Sequence, residues 1–297
     1  LWRFSAQAGD RFYFDVSTPN AGNGYWRLID PFGREVVNEG LNTDIGVRAL
    51  PYTGTYTVLI EGRRNQGANI PYAFNVQPIA DQEFPLTLGA VTGGTIDEKG
   101  EVDRYTFTLA QGARLYLDSF TNVDFRWSLV GPRGVHVSNA SLQTIDRQDG
   151  GNPILDLVAG QYRLEIYGSG ELTGEYGFRL FNSAAATAIT PGTPVSGQLN
   201  PGSESHLYRF TALAGDRLYL DSQSSGTGST WWRLIDPLGR EVFANGMTED
   251  DPARTLTVPG EYLVLVEGRR GAAGPINYTF NVQPVADKLL PLTVGQR

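Results

Sequence analysis

The chain repeats itself, and that constrains its fold more than anything else in the sequence. Residues 1–91 overlay residues 207–297 at a constant offset of 206 without a gap, and 46 of those 91 positions are identical. Repetition on this scale means that one folding unit is used more than once and packs against its neighbours or closes its own core. A looser relation lies inside the first. Gly9, Gly112 and Gly215 are 103 residues apart, as are Tyr13, Tyr116 and Tyr219, and Asp15, Asp118 and Asp221. The copies therefore run A, B, A. The expected divisions are 1–85 (an A copy lacking its first strand), 86–189 (B), 190–291 (A again) and 292–297, which matches the opening of B. The chain thus reads as a stretch of a longer array.

Each copy carries the same hairpin signature. Trp26-Arg-Leu-Ile-Asp-Pro-Phe-Gly33 returns as Trp232-Arg-Leu-Ile-Asp-Pro-Leu-Gly239, with Trp127-Ser-Leu-Val-Gly-Pro-Arg-Gly134 between them. Asp-Pro-x-Gly suits a type I turn, with Asp at the first position, Pro preset at the second and Gly at the fourth. Short apolar runs separated by Gly and Pro recur about every 10 residues, and none keeps a helical period, so the chain is expected to be all-β: a tandem array of antiparallel β-sandwich domains. Gly54-Thr-Tyr56, Gly160-Gln-Tyr162 and Gly260-Glu-Tyr262 resemble the tyrosine corner of such sandwiches.

Alternation along the strands assigns faces. Tyr262, Val264 and Val266 align with Tyr56, Val58 and Ile60 and with Tyr162, Leu164 and Ile166; all are apolar, so this set faces the core. Trp26, Trp127 and Trp232 follow the same logic. The opposite set faces outward. In the A copies it holds Tyr25, Ile29, Thr57 and Leu59, then Trp231, Ile235, Leu263 and Leu265, where B has Arg126, Val130, Arg163 and Glu165. An apolar patch kept on an outer face marks a contact. It is expected to pack against a neighbouring module or an identical subunit, the plainer alternative being a linker or loop laid over it.

Composition narrows the chemistry. Cysteine is absent, which removes disulfides and thiol chemistry. The net charge of −8, without a basic stripe, makes nucleic acid an unsuitable partner. No apolar run approaches the roughly 20 residues of a membrane span, so no membrane insertion is expected. The two histidines, His136 and His206, do not recur between copies, and sequence patterns for nucleophilic, zinc or phosphate chemistry are missing, so no catalytic residue is expected. Calcium, which takes oxygen ligands from loops, is the one candidate ion. Two acidic clusters qualify: Asp97, Glu98, Glu101 and Asp103 before the first full strand of B, and Glu249, Asp250 and Asp251 after the second A hairpin. The plainer reading of both is a solvated acidic loop. The Glu-Gly-Arg-Arg runs at 61–64 and 267–270 read first as solvated turns, then as partners for acidic loops of a neighbouring module.

With these motifs in place, the copies resemble bacterial pre-peptidase C-terminal (PPC-like) domains. The shared pattern stands as Tyr105-Thr-Phe107 to Gly112, Tyr208-Arg-Phe210 to Gly215, Asp236-Pro-Leu-Gly239, Gly260-Glu-Tyr262 and Tyr278-Thr-Phe280. The resemblance implies jelly-roll or immunoglobulin-like sandwiches on secreted or cell-surface proteins, without catalysis of their own. Some members bind calcium or extracellular polymers. The expected function is that of an extracellular structural or adhesive repeat region, with a filament or fibre subunit as a variant. The alternative is a module that binds polysaccharide or protein matrix beside a secreted hydrolase, with Tyr25 and Trp231 as its aromatic platform.

Overall fold

The computed structural model describes residues 1–17, 24–64, 69–145, 153–224, 230–269, 271–272 and 274–286. Segment 292–297, expected to open a further module, lies outside the described residues. Among the described residues the chain is all-β, and its helical pieces are two three-residue 3-10 turns, Leu142–Thr144 and Ser183–Ala185.

The strands form six sheets. At the N-terminal end, Trp2–Ala6, Gly54–Glu61, Tyr25–Ile29 and Glu35–Gly40 lie side by side in that order, and Gly46–Ala49, Arg11–Val16 and Phe74–Ile79 form a second sheet. Phe14, Trp26, Leu28, Tyr56 and Val58 from both sheets make one buried core, so the pair is a sandwich. At the C-terminal end, Thr187–Ala188, Ser205–Ala212, Gly260–Gly268, Thr230–Ile235 and Glu241–Gly246 face Val195–Leu199, Ile276–Pro284, Arg217–Ser222 and Asp251–Thr255. Their shared core holds Phe210, Trp232, Leu234, Tyr262 and Phe280. The middle sheets run Gly134–Ser141, Phe125–Gly131, Gly160–Gly168, Val102–Leu109, Gln82–Pro85 and Ile154–Leu157, Ala113–Ser119, Gly174–Asn182, Val91–Ile96. The first sandwich has no counterpart of Val195–Leu199 among the described residues.

The chain packs into two compact units. One joins Leu1–Phe84 with Thr95–Tyr105 and Glu165–Glu175; the other holds Pro85–Gly94, Thr106–Leu164 and Tyr176–Arg297. Each unit thus pairs an end sandwich with residues of the middle stretch.

Local chemistry explains the recurring hairpin. Asp236 accepts hydrogen bonds from the backbone N–H of Leu238 and Arg240, both at 2.8 Å, and from Nε of Arg240 at 2.7 Å; Asp30 does the same for Phe32 and Arg34. One carboxylate thereby ties off the turn's free donors. The Pro of that turn lies over the glycine that opens the next core strand. Gly260 has φ +137, and a Cβ there would come 3.0 Å from the Pro237 ring, so both backbone strain and crowding exclude a side chain. Two residues on, the Tyr262 hydroxyl donates to the Val258 carbonyl at 2.7 Å, and Tyr162 does so to Val158 at 2.8 Å. These are the tyrosine corners expected from Gly-x-Tyr.

Trp232 is fully buried, with its ring edge-on to Phe243 at 5.2 Å. Trp232→Ala is expected to cost about 3–5 kcal/mol of stability. Tyr262→Phe, which removes one hydrogen bond and no volume, is expected to cost about 1 kcal/mol. Chemical denaturation of the two variants checks the ranking.

Candidate functional site

The strand Gly260–Gly268 is buried on both faces. Tyr262, Val264 and Val266 enter the sandwich core, while Leu263 and Leu265 point the other way and are buried as well. On that outer face they form one cluster with Leu207 and Ile235 of the third sandwich and Tyr116 and Ile154 of the middle one, with Phe181 packed alongside. Of the outward residues singled out from the sequence, Ile235, Leu263 and Leu265 therefore come together in a buried seam. Trp231 is half-buried at its margin, with the Arg269 guanidinium 5.5 Å from the ring centre. The equivalent residues of the first sandwich, Tyr25, Ile29 and Leu59, are only half-buried, and Arg63 lies over the Tyr25 ring at 4.6 Å.

A polar network runs through the seam. The Nε of Arg233 donates to Glu267 at 2.6 Å, and both side chains are almost completely excluded from solvent, at 1% and 2% exposure. Arg233 also reaches Glu241 at 3.0 Å. From the middle sandwich the Tyr116 hydroxyl donates to Glu267 at 3.0 Å and lies 3.2 Å from the Ser205 hydroxyl. Burial pushes the Glu267 carboxyl up, against the pull of Arg233. Beside it, Arg179 bridges Asp118 at 2.9 Å and Glu204 at 2.8 Å and donates to the Ser205 carbonyl. Burial also pushes Asp118 up to about 6, a stronger effect here than the neighbouring Arg179 charge.

The first unit holds a second seam of different chemistry. The Tyr13 hydroxyl, at the position equivalent to Tyr116, contacts Glu171 at 3.2 Å and Asp44 at 3.3 Å. Lys99 Nζ sits 3.0 Å from Asp15 and 2.7 Å from Glu171. Asp81 takes Arg104 at 2.8 Å and also pairs with Arg11. Desolvation and the neighbouring Glu171 raise Asp44, while its contacts with Asp44 and Lys99 hold Glu171 down at about 2. A Cβ on Gly100 would collide with Val47, so the backbone approach in this seam requires glycine.

The acidic clusters expected to attract calcium are placed differently. The Glu101 carboxylate is taken by the backbone N–H of Asp97 and Glu98, at 2.7 and 2.9 Å, and by Gln82. It closes its own turn; Asp97 is exposed, and Asp103 is buried on the following strand. Asp250 accepts from Tyr219 at 2.5 Å and from the Ser222 N–H at 2.8 Å, Asp251 pairs with Arg254, and Glu249 is exposed. Calcium needs six to eight convergent oxygens, and neither set supplies them. Among the described residues, the carboxylates that do converge are Asp15, Asp44 and Glu171, and Lys99 supplies the positive charge there.

His206 stands in a groove of about 770 Å³ along the connector 185–196. Its Nδ1 lies 2.6 Å from the Tyr278 hydroxyl, and burial lowers its pKa. His136 packs against the Tyr162 ring at 5.5 Å. Sequence reasoning placed none of Tyr13, Asp15, Lys99, Tyr116, Asp118, Glu171 and Arg233 at a seam, and it read Glu267 first as part of a solvated turn. A signal existed for several of them: Tyr-x-Asp recurs every 103 residues at polar, outward positions, and Arg27/Arg233 and Glu61/Glu267 are kept between the A copies.

Among the described residues the fold is one of antiparallel β-sandwiches, and in the second unit two of them are joined by a buried apolar and polar contact. No protein-family model matches the chain, and no curated protein matches it. Among solved structures, the periplasmic inhibitor of g-type lysozyme from Aeromonas hydrophila is 14% identical, with TM-score 0.30 over 34% of this chain and 96% of that one. The pre-peptidase C-terminal domain of a Bacillus anthracis collagenase is 20% identical, with TM-score 0.25 over 36% of this chain and 99% of that one. The CUB1-EGF-CUB2 region of rat MASP-1 is 6% identical, with TM-score 0.22 over 68% of this chain and 100% of that one. Likenesses this low decide nothing about what the chain does. No helix among the described residues is long and apolar enough to cross a membrane.

The Asp118 carboxyl binds its proton more tightly in the folded chain, at about 6, than at its ordinary 3.8. The stability it contributes is full below the ordinary value and is lost as pH rises through about 6. Asp118→Asn has no such proton. Between pH 7 and pH 5 the stability difference is therefore expected to move in favour of the unmodified chain by about 1 kcal/mol. Denaturation at the two pH values checks this, and a difference independent of pH contradicts it.

Proposed function

We propose that the chain is a non-catalytic, extracellular repeat region of a bacterial surface or secreted protein. Its modules, of the pre-peptidase C-terminal type, are locked to one another and serve as a structural or adhesive element; a fibre or filament subunit is the same design carried further. The observation that supports this reading is the strand Gly260–Gly268, buried on both faces by its own core and by the neighbouring sandwich. A loosely tethered spacer would leave Leu263 and Leu265 in water. Burying several such side chains contributes about 1.5–3 kcal/mol each, enough to hold two modules in one orientation. The rival reading, a polymer-binding module, needs a bare aromatic platform. Its two candidate rings, Tyr25 and Trp231, each carry an arginine over one face.

The test is to break the seam. Leu263→Glu places a charge in the buried cluster while leaving the sandwich core untouched. Heat or denaturant is expected to unfold the variant in separated steps where the unmodified chain unfolds its second unit as one. Unchanged unfolding would remove the reading, and specific retention of the chain on insoluble polysaccharide or collagen would favour its rival.

A further inference from the structure

The two A copies carry the same outer face in different surroundings. In the third sandwich that face is Leu207, Arg233, Ile235, Leu265 and Glu267, covered by the middle sandwich. In the first sandwich it is Leu1, Arg27, Ile29, Leu59 and Glu61, identical at all five positions at the 206-residue offset. The ion pair is also reproduced: Arg27 Nε lies 2.6 Å from Glu61 and Arg27 Nη1 2.9 Å from Glu35, as Arg233 pairs with Glu267 and Glu241. One seam position departs, Leu263 standing where the first sandwich has Thr57; the larger difference is the cover. Arg27 and Glu61 are 38% and 39% exposed, against 1% and 2% for their equivalents.

Solvent gives no reason to keep an apolar strip and an arginine–glutamate pair in this register. An exposed pair of this kind contributes little, and isolated leucines on the outer face contribute nothing to the core. The same five side chains do have a use where a tyrosine hydroxyl and an isoleucine–phenylalanine surface are laid on them. We infer that the outer face of the first sandwich is a docking surface for a module of the 86–189 type. That partner presents the equivalents of Tyr116, Ile154 and Phe181, with the Asp118–Arg179 pair beside them. Its tyrosine hydroxyl donates to Glu61, and its apolar side chains cover Ile29 and Leu59. A second A-type module is a poorer fit: the Tyr219 face of the third sandwich carries Gln283 opposite Tyr219, where the middle sandwich has Phe181 opposite Tyr116. The inference rests on the reading of the chain as interlocked modules and names the partner that one free face takes.

The experiment exploits the absence of cysteine. A tandem chain is made in which residues 1–206 are repeated directly ahead of Leu1, so that Leu1 takes the register of Leu207. A single cysteine is then placed at Leu59 of the downstream copy, and the rate of thiol alkylation is measured. Leu59→Cys in the original chain is expected to react quickly, and in the tandem chain at least about 100-fold more slowly, because the thiol reacts only when the seam opens. Leu265→Cys in the original chain reports the existing seam. If that thiol reacts quickly, the interlocked-module reading itself fails. If it is protected while Leu59→Cys reacts equally fast in both chains, the docking inference alone is overturned. A second arm avoids cysteine. Glu61→Gln is expected to leave the melting of the original chain unchanged and to lower that of the tandem chain, as Glu267→Gln lowers it in the original; no effect in the tandem chain overturns the inference.

Discussion

The buried contact between Arg233, Glu267 and Tyr116 sets the terms for the second unit. Removing two charges from water is expensive, and their mutual attraction offsets this only when geometry and further hydrogen bonds are good. Here the pair lies at 2.6 Å, the tyrosine hydroxyl supplies a donor to the carboxylate, and Glu241 takes a second guanidinium nitrogen. Such a pair adds little net attraction. Registry comes from the bonds that cross the seam: a shift of the middle sandwich along the sheet takes the Tyr116 hydroxyl from the buried Glu267 carboxylate and Arg179 from Glu204. The attraction comes from Leu207, Ile235, Leu263 and Leu265. Apolar area holds the two sandwiches together, and the bonds from Tyr116 to Glu267 and from Arg179 to Glu204 select one arrangement among those that area alone would permit.

The first unit solves the same problem with other materials. Its seam has a tyrosine at the equivalent position, again contacting a glutamate; where the second unit has the more deeply buried Arg179 between Asp118 and Glu204, this one has Lys99 joining Asp15 to Glu171. These groups keep contact with water, so this seam is softened by salt while the other is hardly affected. Two neighbouring contacts in one repeat therefore answer differently to ionic strength and to acid. The carboxyl of Asp118 favours the protonated form, and that of Glu171 the ionised one.

The fold was legible because its determinants are local. The Asp-Pro-x-Gly turn, the Gly-x-Tyr corner and the alternation in Tyr262, Val264 and Val266 each act within a few residues, so sequence carries them directly. The outward set Ile235, Leu263 and Leu265 was legible for the same reason, since an apolar residue at an outer position is visible without knowing what covers it. What covers it was not. Tyr116 and Glu267 lie 151 residues apart in the chain, and nothing local to either announces the other. Glu267, read as part of a solvated turn, is buried because a separate sandwich arrives there. The use of the acidic clusters was not legible for a related reason. Glu101 and Asp250 are acidic to satisfy backbone donors in their own loops, and a list of carboxylates cannot distinguish that use from coordination of an ion.

The alternation of the copies bears on how such a chain reaches its native state. Strands from two near-identical sandwiches are interchangeable, and adjacent like units in a polypeptide are prone to trade them during synthesis and become trapped in intertwined forms. In this sequence the two closely matched copies are never adjacent. In sequence a divergent copy lies between them, with Glu165 where the others carry Leu59 and Leu265, so a nascent strand meets an unlike neighbour before it can meet its twin.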